Sequence, residues 1–225
     1  MRYKRPKFHT TGTLIIFHKE EKMIRLYTER LLLRDHVPED LETHHALLSD
    51  AQAMRYLPEI QTDSKSRSLE NLQQSITEIG RERRELYFLR IEDRENHEHI
   101  GEIGYTVTEM TPLGKLVGVG YFIHERYWGL GYTSEALQEL VRFAFEEDGV
   151  CRIMTGCLKE NVASERVMQK CGFTKEAEFL QYQYHEGSLK DRVEYRLLRT
   201  EWLQNKEKVR MRLLFQGKRD LYISQ

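Results

Sequence analysis

Arg126, Gly129 and Gly131 follow one another at spacings of three and two in the stretch ERYWGLGYTSEA, residues 125–136. An apolar run, VGVGYFI, precedes them, and a helix-like pattern follows. Glycine reaches backbone conformations that other residues avoid and lets a ligand approach the main chain. The first amides of a helix have no partner within it and carry the positive end of its dipole. Together these features form a nest of N–H donors suited to a phosphate or pyrophosphate. Arg126 would add a charge-assisted contact. Taken alone, the loop reads equally well as a turn and a helix start. It is neither GxxxxGK[ST] nor GxGxxG, and it follows an antiparallel meander where a dinucleotide fold needs a βαβ crossover.

The elements around the loop follow from periodicity. Arg25–Arg34, RLYTERLLLR, reads as one strand. Pro38-Glu39-Asp40 opens a helix, and a second short helical piece ends near Leu57-Pro58. Thr62-Asp63-Ser64 caps a helix over Lys65–Arg81, with Leu69, Leu72, Ile76 and Ile79 at spacings of three and four. LYFLRIE, HIGEIGYTVTE and KLVGVGYFIHE then form a three-strand meander. After the loop come a helix over Thr133–Glu146, a strand over Val150–Leu158 and a helix over Asn161–Lys170 that Gly172 ends. Strands near Glu176–Tyr184 and Asp191–Leu198 turn at Gly187, and Thr200–Val209 reads helical. The fold class is a mixed α/β sheet. The expected organisation is an extension at 1–22, one domain over 23–203 and a tail over 204–225.

Composition narrows the function classes. The 225 residues carry a formal net charge of -1, so no whole-chain basic field for nucleic acid exists. No apolar run reaches the roughly 20 residues of a membrane span. LIIF near the N-terminus is too short for a signal peptide, and the expected location is the cytoplasm. Three cysteines, Cys151, Cys157 and Cys171, form no CxxC pair and read as small core hydrophobes. The nine histidines form no HExxH pattern, and solvated histidines rather than a metal site are expected.

Two motifs in order carry a resemblance. Arg126-x-x-Gly129-x-Gly131 between strand and helix resembles the acetyl-CoA loop, [RQ]xxGx[GA], of the GNAT superfamily of N-acetyltransferases. Asn161-Val-Ala-Ser164, followed by Lys170-Cys-Gly172-Phe173, is similar to that family's second signature. TERLLLRD, residues 28–35, resembles its first strand, and the likeness runs to about Trp202. YWGLGYTSEA, NVASERV and TERLLLR most resemble the ribosomal-protein N-terminal acetyltransferase branch, which also acetylates other amines. The resemblance implies a GNAT fold, with a central, mostly antiparallel twisted sheet flanked by helices. It also implies acetyl-CoA as cofactor and a primary amine, protein N-terminus or small molecule, as acceptor.

It further implies roles. Tyr121, Phe122 and Ile123 would hold the pantetheine arm and offer an N–H to the thioester oxygen. Gly129, Gly131, Tyr132 and Thr133 would take the pyrophosphate, Thr133 being alternatively an N-cap. Asn161 would bond the pantetheine, or be an N-cap only. Tyr127 and Trp128 pack the loop. Many family members carry a Tyr seven residues after the Asn to protonate the leaving thiolate. Met168 stands there instead, so Ser164 becomes the candidate donor. Glu102 is the first candidate base, ahead of Glu176, Glu178 and Glu186, whose default is a solvated face. A lysine-like amine is only about 0.04% neutral at pH 7, a cost of ~4.6 kcal/mol, whereas an α-amine costs ~1.4 kcal/mol and needs less help. Two alternatives stay open: a CoA-binding sensor without turnover, and an interaction protein whose terminal segments build a homodimer.

Overall fold

The computed structural model describes residues 23–208. The expected extension at 1–22 and the tail beyond 208 lie outside the described residues. Eight strands form one sheet: β1 (Arg25–Tyr27), β2 (Leu31–Asp35), β3 (Leu86–Asp93), β4 (His99–Thr111), β5 (Gly114–Ile123), β6 (Val150–Leu158), β7 (Thr174–His185) and β8 (Ser188–Leu198). Their order is β1-β2-β3-β4-β5-β6-β8-β7. Every neighbouring pair is antiparallel except β5 and β6, which are parallel. The helices are α1 (Leu41–Leu48), α2 (Lys65–Glu78), α3 (Tyr132–Glu146), α4 (Val162–Lys170) and α5, residues 199–208.

The main departure at the start of the chain is RLYTERLLLR, which is two strands rather than one. Thr28 N–H donates to Leu31 O and Leu31 N–H to Thr28 Oγ1, each at 2.9 Å, and this turn folds β1 back on β2. The polar Thr-Glu-Arg triplet cannot continue a buried strand and becomes the corner. The helix expected to reach Arg81 stops at Glu78, because Ile79 turns extended at ψ 123° and Gly80 follows at a φ of 80°. Residues 51–56 form turns rather than a second helical piece.

Strand alternation sends side chains to two different layers. On one face Leu33, Leu89, Ile91, Ile103, Tyr105 and Val117 pack with Leu137, Leu140, Val141 and Ala144 of α3. Burying each such large side chain contributes about 1.5–3 kcal/mol. On the other face Phe122 joins Leu47, Leu48 and Met54 beneath α1. The expectation of solvated histidines is overturned: His36, His44, His99 and His185 are all buried. Local polarity suggested solvent, but α1 and the turn at Pro38–Asp40 enclose His36, His44 and His99, and Tyr56 stacks on His185.

Candidate active site

The parallel pair β5 and β6 is in register only from Lys115–Val150 to Gly118–Met154. Beyond it a side chain takes over from the main chain, Thr155 Oγ1 donating to Val119 O at 3.1 Å. The remainder of β5, still paired to β4 through Ile123, faces a gap. His124 N–H bonds Ile100 O on the β4 side. Alternation therefore turns the Phe122 N–H toward β4 and leaves the N–H groups of Tyr121 and Ile123 facing the gap. Two of the three expected main-chain donors are thus available, and Phe122 contributes its side chain to the α1 layer instead.

At the mouth of the gap lies the loop. Gly129 and Gly131 take φ of 75° and 83°, in the left-handed region that favours glycine. A side chain added at Gly129 would meet nothing within 4 Å, so the backbone there is open to a ligand. Gly131 is the N-cap of α3, which begins at Tyr132, and no side chain caps it. Thr133 is therefore inside the helix and is not its cap. The leading amides, including those of Tyr132 and Thr133, are the donors that a phosphate would meet. Arg126 is exposed beside them, 3.9 Å from Glu98. Trp128 Nε1 donates to Ile123 O at 3.1 Å and Tyr127 packs edge-on against Tyr132, so both aromatic rings hold the loop. A cleft of ≈ 360 Å³ opens next to Gly131, and Arg30, Ser134 and Lys170 line it.

The loop is strapped from behind by the β1–β2 corner. Glu135, in the first turn of α3, accepts from Thr28 Oγ1 at 2.6 Å, Arg30 N at 2.9 Å and Arg30 Nε at 2.7 Å. Arg30 Nη1 donates to Leu130 O at 3.1 Å, and its guanidinium lies 4.3 Å from the Tyr132 ring centre. Burial opposes ionisation of Glu135, but the bonds from Thr28 and Arg30 hold its carboxyl below the ordinary value. Sequence reading saw TERLLLR only as a strand motif. The signal for the strap was the unpaired polar triplet in an apolar run, whose partner lies 105 residues away.

Helix α4 forms the other wall. Asn161 is its N-cap, its Oδ1 accepting from Ser164 N at 3.2 Å, and so the capping alternative is realised. Ser164 Oγ lies 3.0 Å from the Tyr121 hydroxyl, which also donates to Ser164 O at 3.2 Å. Burial pushes the Tyr121 phenol above its ordinary value, so it stays protonated. This side-chain hydroxyl was missed from sequence, where Tyr121 was read only for its backbone. Met168 is fully buried in the core.

Glu102 pairs in register with Phe122 on the cofactor strand, as expected. Its carboxylate, however, is wholly buried and 2.5 Å from His44 Nδ1. Burial opposes both charges, yet the field of His36 and His44 leaves Glu102 below its ordinary value, and Glu102 in turn leaves His44 above its own. Glu176 and Glu178 pair with Arg152 and with Lys159 and Lys175, and Glu186 pairs with Arg55 at 3.0 Å. All three stand on the outer surface.

A sheet opened between two parallel strands, with an uncapped helix N-terminus at the mouth of the opening, offers main-chain donors to a phosphate-bearing ligand. The chain belongs to the GNAT family: residues 30–174 match the Acetyltransferase (GNAT) domain. It is thus an acetyl-CoA-dependent N-acetyltransferase, and the open glycine loop and the free N–H edge of β5 fit that cofactor. An uncharacterized N-acetyltransferase, YoaA of Bacillus subtilis (strain 168), is 29% identical over 174 residues, 77% of this chain and 96% of its own. Two solved structures share the fold. A ribosomal L7/L12 alpha-N-protein acetyltransferase in complex with coenzyme A has a TM-score of 0.69 at 22% identity, covering 78% of this chain and 98% of its own. A spermidine N-acetyltransferase from Vibrio cholerae, with CoA and spermine, has a TM-score of 0.68 at 19% identity, covering 78% and 99%. Among the described residues no helix is long and apolar enough to cross a membrane.

Proposed function

We propose that the chain transfers the acetyl group directly to a primary amine, on a protein N-terminus or a small molecule, within a ternary complex. The observation that carries direct transfer is the packing of the cysteines nearest the gap, Cys157 Sγ against Asn161 O and Cys171 Sγ against Ser134 O. Burial pushes the Cys157 thiol up to about 11 and the Cys171 thiol up to about 12. Neither is a thiolate near neutrality, and so neither is an activated nucleophile.

Acetyl-CoA supplies an acetyl group already activated as a thioester. Gly129, Gly131, Tyr132 and Thr133 bind its pyrophosphate through main-chain N–H groups, and Arg126 adds charge. The N–H groups of Tyr121 and Ile123 stabilise negative charge developing on the acyl oxygen. Asn161, whose Oδ1 caps α4, bonds the pantetheine arm through its amide nitrogen. Ser164 donates a proton to the departing sulfur, and Tyr121 stands behind it to return one.

Glu102 is sealed against His44, and this supports an acceptor that needs little base. An α-amine fits, since its neutral form costs only ~1.4 kcal/mol at pH 7. Two relatives by fold carry names that span the choice, an alpha-N-protein acetyltransferase and a spermidine N-acetyltransferase. Initial rates over both substrates, with peptides beginning in Ala or Ser set against polyamines, test the reading. Intersecting lines and the higher kcat/KM on peptides are expected. Parallel lines would overturn direct transfer, and faster polyamine turnover would overturn the α-amine assignment.

A homodimer is part of the proposal. Strand β7 is a sheet edge exposing Phe179, Leu180, Tyr182 and Tyr184, a surface a second chain can cover. Light scattering showing a monomer would remove it.

A further inference from the structure

Among the described residues, five buried side-chain nitrogens and oxygens have no hydrogen-bond partner, and four of them lie in one place: His36 Nδ1, His36 Nε2, His44 Nε2 and Glu102 Oε2. Native interiors leave few such atoms, because each costs about 1–3 kcal/mol. Three separate elements bring these residues together. His36 follows β2, His44 lies on α1 and Glu102 on β4. His44 Nδ1 is 2.5 Å from Glu102 Oε1, and His36 Nε2 is 3.8 Å from the same oxygen. One ligand-type atom from each of His36, His44 and Glu102 lies within 4.8 Å of the other two.

A second layer is built around them. His36 Nδ1 faces Asp40 Oδ2 at 3.4 Å. Asp40 is itself fixed by Arg34 Nη1 and Nη2 at 2.8 and 2.7 Å and by Val37 N at 2.9 Å. Metal-ligating histidines commonly present their other ring nitrogen to a carboxylate, and a small rotation of the His36 ring would bring Nδ1 into such a bond with Asp40. His99 Nε2, also 3.8 Å from Glu102 Oε1, is 3.0 Å from Gly101 O and stays outside the set.

We propose that His36 Nε2, His44 Nδ1 and Glu102 Oε1 form a buried site for a divalent transition-metal ion of the zinc type. Two imidazoles and a carboxylate suit zinc and its neighbours, whereas magnesium and calcium prefer all-oxygen sets. A tetrahedral ion with bonds of about 2.0–2.1 Å holds its ligands roughly 3.3 Å apart. The shorter contact would open and the longer one close, each by less than about 1 Å. The ion would take the place of the proton between His44 and Glu102, and that proton would go to solvent. Bound there, it would tie the Pro38–Asp40 turn and α1 to β4, beside the strand that carries Phe122. The proposal is independent of the acceptor assignment and adds no step to acetyl transfer.

The full chain, without an affinity histidine tag, is stripped with chelator and dialysed against Zn²⁺ or Co²⁺. Metal content, the visible spectrum of the Co²⁺ form and the melting temperature are then read. One ion per chain is expected, with the intense bands of tetrahedral Co²⁺ and a melting temperature higher by roughly 5 °C. His36→Gln and His44→Gln should lose the ion and the bands. His185→Gln should retain them, although Glu160, His185 and Glu186 form a second, partly exposed group of ligand type. Wild type without stoichiometric metal would overturn the proposal and leave a buried ion pair, irrespective of how the variants fold. Binding that survives in the His36 and His44 variants but is lost with His185 would equally overturn it.

Discussion

Replacing Arg30 with Ala should weaken acetyl-CoA binding although Arg30 is not among the expected pyrophosphate ligands. The substitution removes the bond to Leu130 O, about 1 kcal/mol for a carbonyl acceptor. It removes an ion pair with Glu135 whose side chains are 41% and 20% exposed, about 0.5 kcal/mol after solvent screening. It also removes the contact with the Tyr132 ring, about another 0.5 kcal/mol. The loss of about 2 kcal/mol falls on the segment holding Gly131 and the first amides of α3. Where most of it must be recovered by ordering the loop on binding, Kd rises roughly tenfold, since 1.4 kcal/mol is a factor of ten. Arg30→Lys keeps the charge but loses the fork and should give roughly a threefold rise. Glu135→Gln tests the other half. The Glu135 carboxyl lies below its ordinary value in the fold, so its contribution is present above the normal carboxylate range. It is lost as pH falls through the folded value. Wild-type affinity should therefore decline on acidification with a limb that the Gln variant lacks. Calorimetric titration of acetyl-CoA, with melting temperatures alongside, is the assay. A Kd unchanged within twofold while the melting temperature drops would refute the strap and reduce the corner to a stability element.

Gly131→Val should raise Kd for acetyl-CoA at least tenfold, because a branched residue is strained at φ 83° and the loop must move; an unchanged Kd would remove this loop from cofactor binding. Ser164→Ala should lower kcat roughly tenfold with little change in acetyl-CoA Kd. Tyr121→Phe should lower it less, and the double variant should fall short of the product of the two, since the hydroxyls lie 3.0 Å apart. Independent effects would show that they do not act as a pair. Cys157→Ala should retain kcat within about twofold, and thiol alkylation near neutral pH should leave activity intact, because burial holds that thiol at about 11. Loss of turnover in the alanine variant would instead point to a covalent route.

Much of the architecture is legible along the chain because it is periodic. The β6 strand matches its expected range, α3 begins one residue earlier than expected, and α4 begins one residue later because Asn161 is its cap. The glycine loop is legible for a related reason. Positive φ at Gly129 and Gly131 is a local demand of the backbone, and residue type alone answers it.

What the sequence could not determine is which side chains meet across long separations. Glu135 finds Arg30 across 105 residues, and Tyr121 finds Ser164 across 43. His44 and Glu102, 58 positions apart, close over each other inside the protein, where the sequence suggests solvated histidines and a candidate base at Glu102. Burial is the reason. Whether a polar residue is solvated or sealed depends on what packs above it, and α1 and the Pro38–Asp40 turn settle that only once the sheet exists. The sequence by itself determined the helices, the strands and a backbone able to hold a phosphate. The tertiary structure decided which hydroxyls face the gap, what fastens the loop and which titratable groups lose their water.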